Sequence, residues 1–356
     1  MGGGTPSSSN ESFWQGTIPW ISSSDIVEND IKNISISRYI TEEAIAHSAT
    51  KLCPAPSILI VSRVGVGKIA LSKEAICTSQ DFCNLINIKV EPIFLTYCLS
   101  QIMKRKSMEV QGTSIKGITT SEIQKISINI PSLQEQKKIG KILSLLDERI
   151  ATQNKIIDKL QSLIKGIVDC TILRKEKNAI VGDVCSISEQ IRAEANIDDI
   201  ITVRLHGNGV CKSSAENLQL GATQYYRRRA GQLIYGKQNF HNGAIGIVPI
   251  SLDNGITSKD IPSFDIDEMK CNSVYLLAQL QSPQYYKPAE ALTTGTGSKR
   301  LKEETFLRMP IVLPNKREQD NIAVLIHRAS MKLDHAKNLL ELLSIQKQYL
   351  LRQMFI

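Results

Sequence analysis

Two segments of this chain, 183 residues apart, repeat one pattern: "IPSLQEQKKIGKILSLLDERI" at 130–150 and "LPNKREQDNIAVLIHRASMKL" at 313–333. Each opens with an apolar residue and a proline, reaches Glu-Gln five residues in, and continues with helical spacing. The same shift pairs Gly112 with Gly295, Thr113 with Thr296, Lys116 with Lys299, Ile118 with Leu301, Ile123 with Phe306 and Ile128 with Ile311. Further upstream, "TSQD" at 78–81 matches "TSKD" at 257–260 with a shift of 179, so one copy carries a short insertion. A period this long is a duplicated domain, not a stack of short repeats. The chain must therefore fold as two versions of one unit.

Each copy ends in a predicted long helix with a heptad seam. In the first copy the apolar positions are Ile139, Leu143, Leu146, Ile150, Ile157, Leu160, Ile164 and Ile167, with Gln153 filling the one gap. Their steps of four and three suit one helix packed along another. The shift of 183 gives Ile322, Ile326, Ala329, Leu333, Ala336, Leu340, Leu343 and Leu350, and only Lys347 breaks the stripe. Pro131 and Pro314 stand just before the helix, where a missing N–H costs little. A helix from about residue 135 to 174 would be roughly 60 Å long at 1.5 Å per residue. That is more than one small domain can cover. The two seams are expected to cover each other, and like surfaces paired by a two-fold make an antiparallel coiled coil.

Residues 1–130 and 178–313 read as mixed α/β with many short strands. "PSILIVSRVGVGKIAL" and "GQLIYGKQNFHNGAIGIVPI" show β-type runs broken by glycines, the second with a turn at Asn242-Gly243. Late in each part a helix is expected, around 91–106 and 273–281, followed by a strand leading into the proline. The expected fold class is thus α/β (α+β): two similar mixed domains, 1–130 and 178–313, separated by long helices at 131–177 and 314–356, with pseudo-two-fold symmetry. The second copy opens with a strand-like lead-in, "AIVGDVCSI" at 179–187, whose counterpart falls at or before residue 1. Either the chain start is truncated or a different arrangement covers that edge of the first domain.

The formal charge is +8, with a pI near 9.0, and a basic balance points to a polyanionic partner, nucleic acid first. Residues 131–177 hold 10 Lys/Arg against 6 Asp/Glu, and 314–356 hold 7 against 4, whereas the globular parts are close to neutral. A DNA-binding face on those parts must come from local clustering. "QYYRRRA" at 224–230 is the densest such cluster, placing Arg227, Arg228 and Arg229 beside two tyrosines. Arginine forks can hold phosphates or read guanine edges. A solvated strand edge is the competing reading. "QGTSIKG" at 111–117 and "TGTGSKRLK" at 294–302 lie at matched places and offer Lys116, Lys299 and Arg300 beside glycines, a pattern suited to phosphate contacts. Turn-forming alone would explain those glycines equally well. Arg63, Lys68 and Lys237 complete the DNA-binding candidates.

Other chemistries find little support. "GVGK" at 65–68 lacks the spacing of a phosphate loop, and Ile69 stands where a hydroxyl would bind magnesium. A strand-turn-strand corner fits it better. "DEMK" at 267–270 is a chance-level nuclease-type triplet and reads as a solvated turn. The chain contains no Pro-Pro, hence no adenine-methyltransferase Asn-Pro-Pro motif. Eight cysteines without a C-x-x-C pair, and five histidines without an H-x₃-H pair, favour free thiols in a reducing cytoplasm over disulfides or a metal site. No apolar run is long enough to span a bilayer, and "MGGGTPSSSN" lacks the basic-then-apolar layout of a secretory signal.

These residues resemble the specificity (S) subunits of type I restriction-modification enzymes. The resemblance rests on "GGTPSSSNESFWQGTIPWISSSDI" at 3–26, on the two "P…EQ" segments, and on the tandem layout, and it covers essentially the whole chain. It implies a non-catalytic subunit whose two target recognition domains each read one half of a bipartite site in double-stranded DNA. It implies that the helices fix the gap between half-sites and dock two methyltransferase (M) subunits, which restriction (R) subunits join. S-adenosylmethionine and ATP belong to those partners, so no cofactor is expected on this chain, and its expected location is the cytoplasm. A different class, a coiled-coil scaffold whose globes bind proteins, is the alternative; the near-neutral globes favour it and the basic clusters do not.

Overall fold

The structure, a computed structural model, describes residues 1–110, 117–213, 223–295 and 299–355. Residues 111–116, with the candidate Lys116, and residues 296–298 lie outside the described residues. The chain divides into two units. Unit 1 comprises Met1–Asn154 and Asn338–Ile356, and unit 2 comprises Lys155–Lys337. Each unit therefore contains one globular part and a portion of both long helices.

In unit 1, β1 (Ile18–Ile21), β2 (Arg38–Ile40), helix α1 (Glu42–Ala46), β3 (Leu52–Cys53), β4 (Ser57–Val61), β5 (Ile69–Ser72), β6 (Ile76–Thr78) and β7 (Phe82–Leu85) precede α2 (Pro92–Val110). The strands form two sheets, ordered β2-β1-β6-β3 and β5-β4-β7. All pairs are antiparallel except β1 with β6. β4 is buried along its whole length, as its unbroken "SILIV" run requires of a central strand covered on both faces. A short helix α3 (Thr120–Gln124) then leads to the long helix α4 (Leu133–Val168), which ends in a π-type turn at Asp169–Leu173.

Unit 2 repeats the plan. Its strands are β8 (Ala179–Ile180), β9 (Cys185–Ile187), β10 (Arg192–Ala193), β11 (Ile201–Val203), β12 (Val210–Lys212), β13 (Tyr225–Arg227), β14 (Leu233–Tyr235), β15 (Ile245–Ile247), β16 (Ile256–Ser258) and β17 (Ser263–Ile266). Helices α5 (Ser273–Leu280) and α6 (Pro283–Tyr286) follow, then α7 (Glu303–Leu307), β18 (Pro310–Ile311) and α8 (Lys316–Met354). The principal sheet is ordered β15-β14-β17-β9, so the β15-β14-β17 ladder matches β5-β4-β7 of unit 1. Tyr235, Phe240, Phe264 and Phe306 stack at its heart, with ring centroids 4.7 to 5.8 Å apart.

The repeated Glu-Gln has the same job in both units. Gln136 accepts the Glu91 N–H at 2.9 Å and donates to the Pro131 carbonyl at 2.8 Å. Gln319 accepts the Asn272 N–H at 2.9 Å and donates to Pro314 at 2.8 Å. A buried amide thus ties the start of each long helix to the start of the last large helix of its globular part. The neighbouring glutamate differs. Glu135 and Ser132 cap each other reciprocally, and hydrogen bonds from the Ser132 side chain and backbone hold the Glu135 carboxyl below its usual range. In the second copy Asn315 caps the helix through the Glu318 N–H, and Glu318 pairs with Lys175.

The helices pair antiparallel within each unit. In unit 1 Asp147 pairs with Lys347, and Leu143 and Leu351, one turn beyond on either helix, join one buried cluster. In unit 2 Lys175 pairs with Glu318, while Ile172 and Ile322 share the main core. All twelve seam positions are buried or half-buried: Ile139, Leu143, Leu146, Ile150, Ile157 and Leu160 on α4, and Ile322, Ile326, Leu333, Leu340, Leu343 and Leu350 on α8. Lys347, the residue that breaks the stripe, is only 12% exposed and is held by Asp147. No helix among the described residues is long and apolar enough to cross a membrane.

Candidate nucleic-acid interface

One construction occurs in both units. The central strand of the main ladder ends in a loop whose carbonyl receives the amide of the residue that enters the short helix before the proline. In unit 1 the Ile118 N–H donates to the Ser62 carbonyl at 2.8 Å; in unit 2 the Leu301 N–H donates to Lys237 at 2.9 Å. That contact brings Ile118 and Leu301 against the strand-end loop of their own unit. A Cβ on Gly117 would lie 3.3 Å from the Ser62 carbonyl oxygen and 3.8 Å from Arg63, so Gly117 lies beside this arginine.

In unit 1 Arg63 is exposed and Lys68 is half-buried, donating to the Ser23 carbonyl at 3.2 Å. Both sit on the β4–β5 turn, where Gly65 (φ +84°) and Gly67 (φ +101°) adopt left-handed backbone. The "GVGK" element thus joins two antiparallel strands, which leaves it without the helix N-terminus a phosphate loop needs.

In unit 2 Lys299 and Arg300 are exposed just before Leu301, and Thr294 and Arg300 exchange backbone hydrogen bonds. Arg300 lies 3.3 Å from Asp260, and both side chains are nearly half exposed, so the pair leaves the guanidinium open to a stronger anion. Lys237 is a correction. Its side chain is only 14% exposed and is paired with Glu303 at 2.7 Å, so its charge is already neutralised.

The arginine triplet divides in burial at the end of β13. Arg227 and Arg229 are exposed and Arg228 is fully buried. Arg228 donates to Thr257 Oγ1 at 2.7 Å, Ser263 Oγ at 3.0 Å and the Ile261 carbonyl at 2.9 Å. Its guanidinium lies 5.7 Å from the Tyr226 ring centre. Burial pushes its pKa down to about 10, and its hydrogen-bond partners are all neutral. Arg228 therefore pins β13 to β16 and β17 and is withdrawn from the candidate surface, a second correction. Both tyrosines of the cluster are buried as well.

Arg227 instead lines a concavity of about 590 Å³ with Arg192, Lys212, Glu194, Asp199 and Asp253. Sequence reasoning missed Arg192 and Lys212. They lie on β10 and β12, and only β10's pairing with β13 and the fold of the β11–β12 hairpin bring them to Arg227. No local signal marks either residue. The "DEMK" triplet is a solvated turn: Asp267 accepts the Met269 N–H at 3.1 Å and pairs with exposed Lys270 at 3.2 Å. Burial pushes the thiols of Cys77, Cys185 and Cys271 up to about 12, so they stay protonated at neutral pH. No group of three or more potential metal ligands occurs among the described residues.

The comparisons with known proteins bear on this geometry. The family model described as "Type I restriction modification DNA specificity domain" matches residues 1–162. The MjaIX specificity subunit of Methanocaldococcus jannaschii is 33% identical over 169 residues, covering 45% of this chain and 38% of that protein. Over this part the chain is similar to type I restriction-modification specificity subunits. The EcoR124I/EcoR124II specificity subunit of Escherichia coli is 36% identical over 156 residues, 41% of this chain and 38% of that protein. The matched part of the chain thus spans under two fifths of the length of either relative. The crystal structure of the S subunit from M. genitalium shares the fold with a TM-score of 0.65, covering 100% of this chain and 93% of that one at 14% identity. The likeness is one of fold: two mixed α/β parts and two long helices.

Proposed function

We propose that this chain is the DNA-reading subunit of a type I restriction-modification complex. Its globular domains, 1–130 and 178–313, each read one half of a bipartite duplex site. The helical segments 131–177 and 314–356 set the spacing and dock methyltransferase subunits, two by the doubling of the chain, which restriction subunits join. Adenine methylation and cleavage belong to those partners, and this chain supplies the address.

The observation that carries the reading is the doubled construction at Ser62–Ile118 and Lys237–Leu301. The same scaffold contact has basic side chains beside it in both units, but on opposite partners: Arg63 and Lys68 follow Ser62 in one, and Lys299 and Arg300 precede Leu301 in the other. A shared frame with divergent tips is what two readers of two different half-sites need, because phosphate contacts position a domain and base edges specify the sequence. The exposed apolar side chains on the outer faces of the helices, Leu145, Leu163, Leu342 and Ile345 among them, support protein docking there.

Selection of bound duplexes from a random pool, with the methyltransferase subunit present, tests this. The expected product is a split motif with two unlike halves at fixed separation. Uniform recovery of all duplexes would favour a scaffold that binds proteins.

A further inference from the structure

The helix seam of unit 1 carries a charged pair where the rest of the stripe is apolar. Lys347 pairs with Asp147, at 12% and 15% exposure, and each group holds a further partner. Asp147 accepts the Tyr97 hydroxyl at 2.5 Å, and Lys347 donates to the Asn29 carbonyl at 3.3 Å. The ammonium also lies 6.0 Å from the Tyr97 ring centre. One charged pair thus ties α4 to α8, to α2 and to the loop between β1 and β2. Around it Leu143, Leu343 and Leu351 are buried.

The shift of 183 places Ile164 and Ser330 at the same point in unit 2. Both are half-buried and neither is charged, so helices of this design pack there without an ion pair. Taking two charges out of water offsets most of their attraction, and an apolar replacement is often neutral or stabilising. Stability therefore does not account for the pair. Alignment does. An apolar seam repeats every seven residues, so its leucines and isoleucines meet similar residues after a slip of one heptad. The charges do not repeat. From Asp147 facing Lys347, such a slip sets Asp147 opposite Leu340 or Met354, and Lys347 opposite Gly140 or Asn154. Each charge would then stay in the seam without its counter-ion, and Tyr97 and Asn29 would lose their partners.

We propose that Asp147 and Lys347 are a register lock: the pair admits one alignment of α4 with α8 and excludes those displaced by a heptad. Tyr97 and Asn29 are positioning partners, holding the two charged groups where only that alignment joins them. A heptad is about 10 Å of helix, or about three base pairs of duplex. With the helices setting the distance between half-sites, the lock makes that distance single-valued. This consequence rests on the DNA-reading assignment above; the lock itself does not.

The test compares the whole chain with Asp147→Leu/Lys347→Met and with Lys347→Arg. Spin labels at Lys141 and Glu341, exposed positions of α4 and α8 within unit 1, read the alignment of the free chain by pulsed electron resonance. Cys170→Ser and Cys211→Ser first remove the two cysteines that are not buried. The wild-type chain and Lys347→Arg should each give one distance. The double variant should stay folded and give a second population, shifted by up to about 10 Å. Binding is then measured, with the methyltransferase subunit present, on duplexes whose half-sites stand at the selected spacing, three base pairs closer, or three further apart. Preference for the selected spacing should fall at least about tenfold in the double variant and hold in Lys347→Arg. One unchanged distance in a folded double variant would overturn the lock. A double variant that cannot fold would overturn it too, since the pair would then serve stability. A second distance with undiminished spacing preference would uphold the lock and remove the helices from the spacing role.

Discussion

Asp147 accepts both the ammonium of Lys347 and the hydroxyl of Tyr97, the latter at 2.5 Å, inside an otherwise apolar helix seam. Asp147 and Lys347 are 15% and 12% exposed, and Lys347 also donates to the Asn29 carbonyl at 3.3 Å. Burial, followed by the bond to Asp147, raises the Tyr97 pKa, so the phenol stays a donor. Removing one partner of a buried pair leaves an uncompensated charge. Lys347→Met is therefore expected to cost about 3 kcal/mol in urea unfolding. The double variant Asp147→Leu/Lys347→Met should recover most of that loss. A single-variant loss below about 1 kcal/mol would show that the pair is solvated.

Gln136 and Gln319 make the same pair of bonds, and each is more than nine-tenths buried. Replacing either with alanine strands a backbone N–H and a carbonyl at a domain–helix junction. Each substitution should destabilise by about 2 kcal/mol, read as a lowered melting temperature. Gln136→Glu should do comparable harm, because a carboxylate cannot donate to Pro131. A large effect at one position and none at the other would contradict the shared role.

This glutamine pair marks where the sequence was legible. A motif repeated at a fixed shift, joined to a heptad stripe, exposes a duplicated unit, its long helices and their inward faces, because both signals are local in the chain. The glutamine's task was not visible, since its partners Glu91 and Asn272 lie tens of residues upstream. The basic candidates divided for a similar reason. Arg228 lies just past β13, and its burial is readable only once Tyr225–Arg227 is known to be a strand and Thr257, Ser263 and Ile261 are known to face it. Lys237 was lost to Glu303, a partner that the sequence places far away.

Arg228 and its neighbours give opposite expectations. Arg228→Met removes the donors that satisfy Thr257, Ser263 and Ile261, and should cost about 2 to 4 kcal/mol of stability. Arg227→Ala and Arg229→Ala, at exposed positions, should stay within about 0.5 kcal/mol. If unit 2 reads DNA as proposed, Arg227→Ala should weaken selection at one half-site and leave the other intact. Thermal unfolding and duplex selection on the three variants separate the roles. A stable Arg228→Met with lost selectivity would reverse them.

Arg63 with Lys68, and Lys299 with Arg300, flank the shared backbone contact from opposite sides in the two units, and each pair should contribute to the salt dependence of DNA binding. Every phosphate contact releases condensed counterions, about 0.9 in the slope of log K against log salt for duplex DNA. Arg63→Ala/Lys68→Ala and Lys299→Ala/Arg300→Ala should each flatten that slope by nearly 2 if all four residues meet phosphates. Arg300 has Asp260 to return to, so its share should be the smaller. Titrations on one cognate duplex between 50 and 200 mM salt measure the slopes. A variant that keeps the slope yet loses preference at one half-site would place that pair on base edges. Unchanged slope and unchanged preference in both variants would remove this surface from the DNA interface.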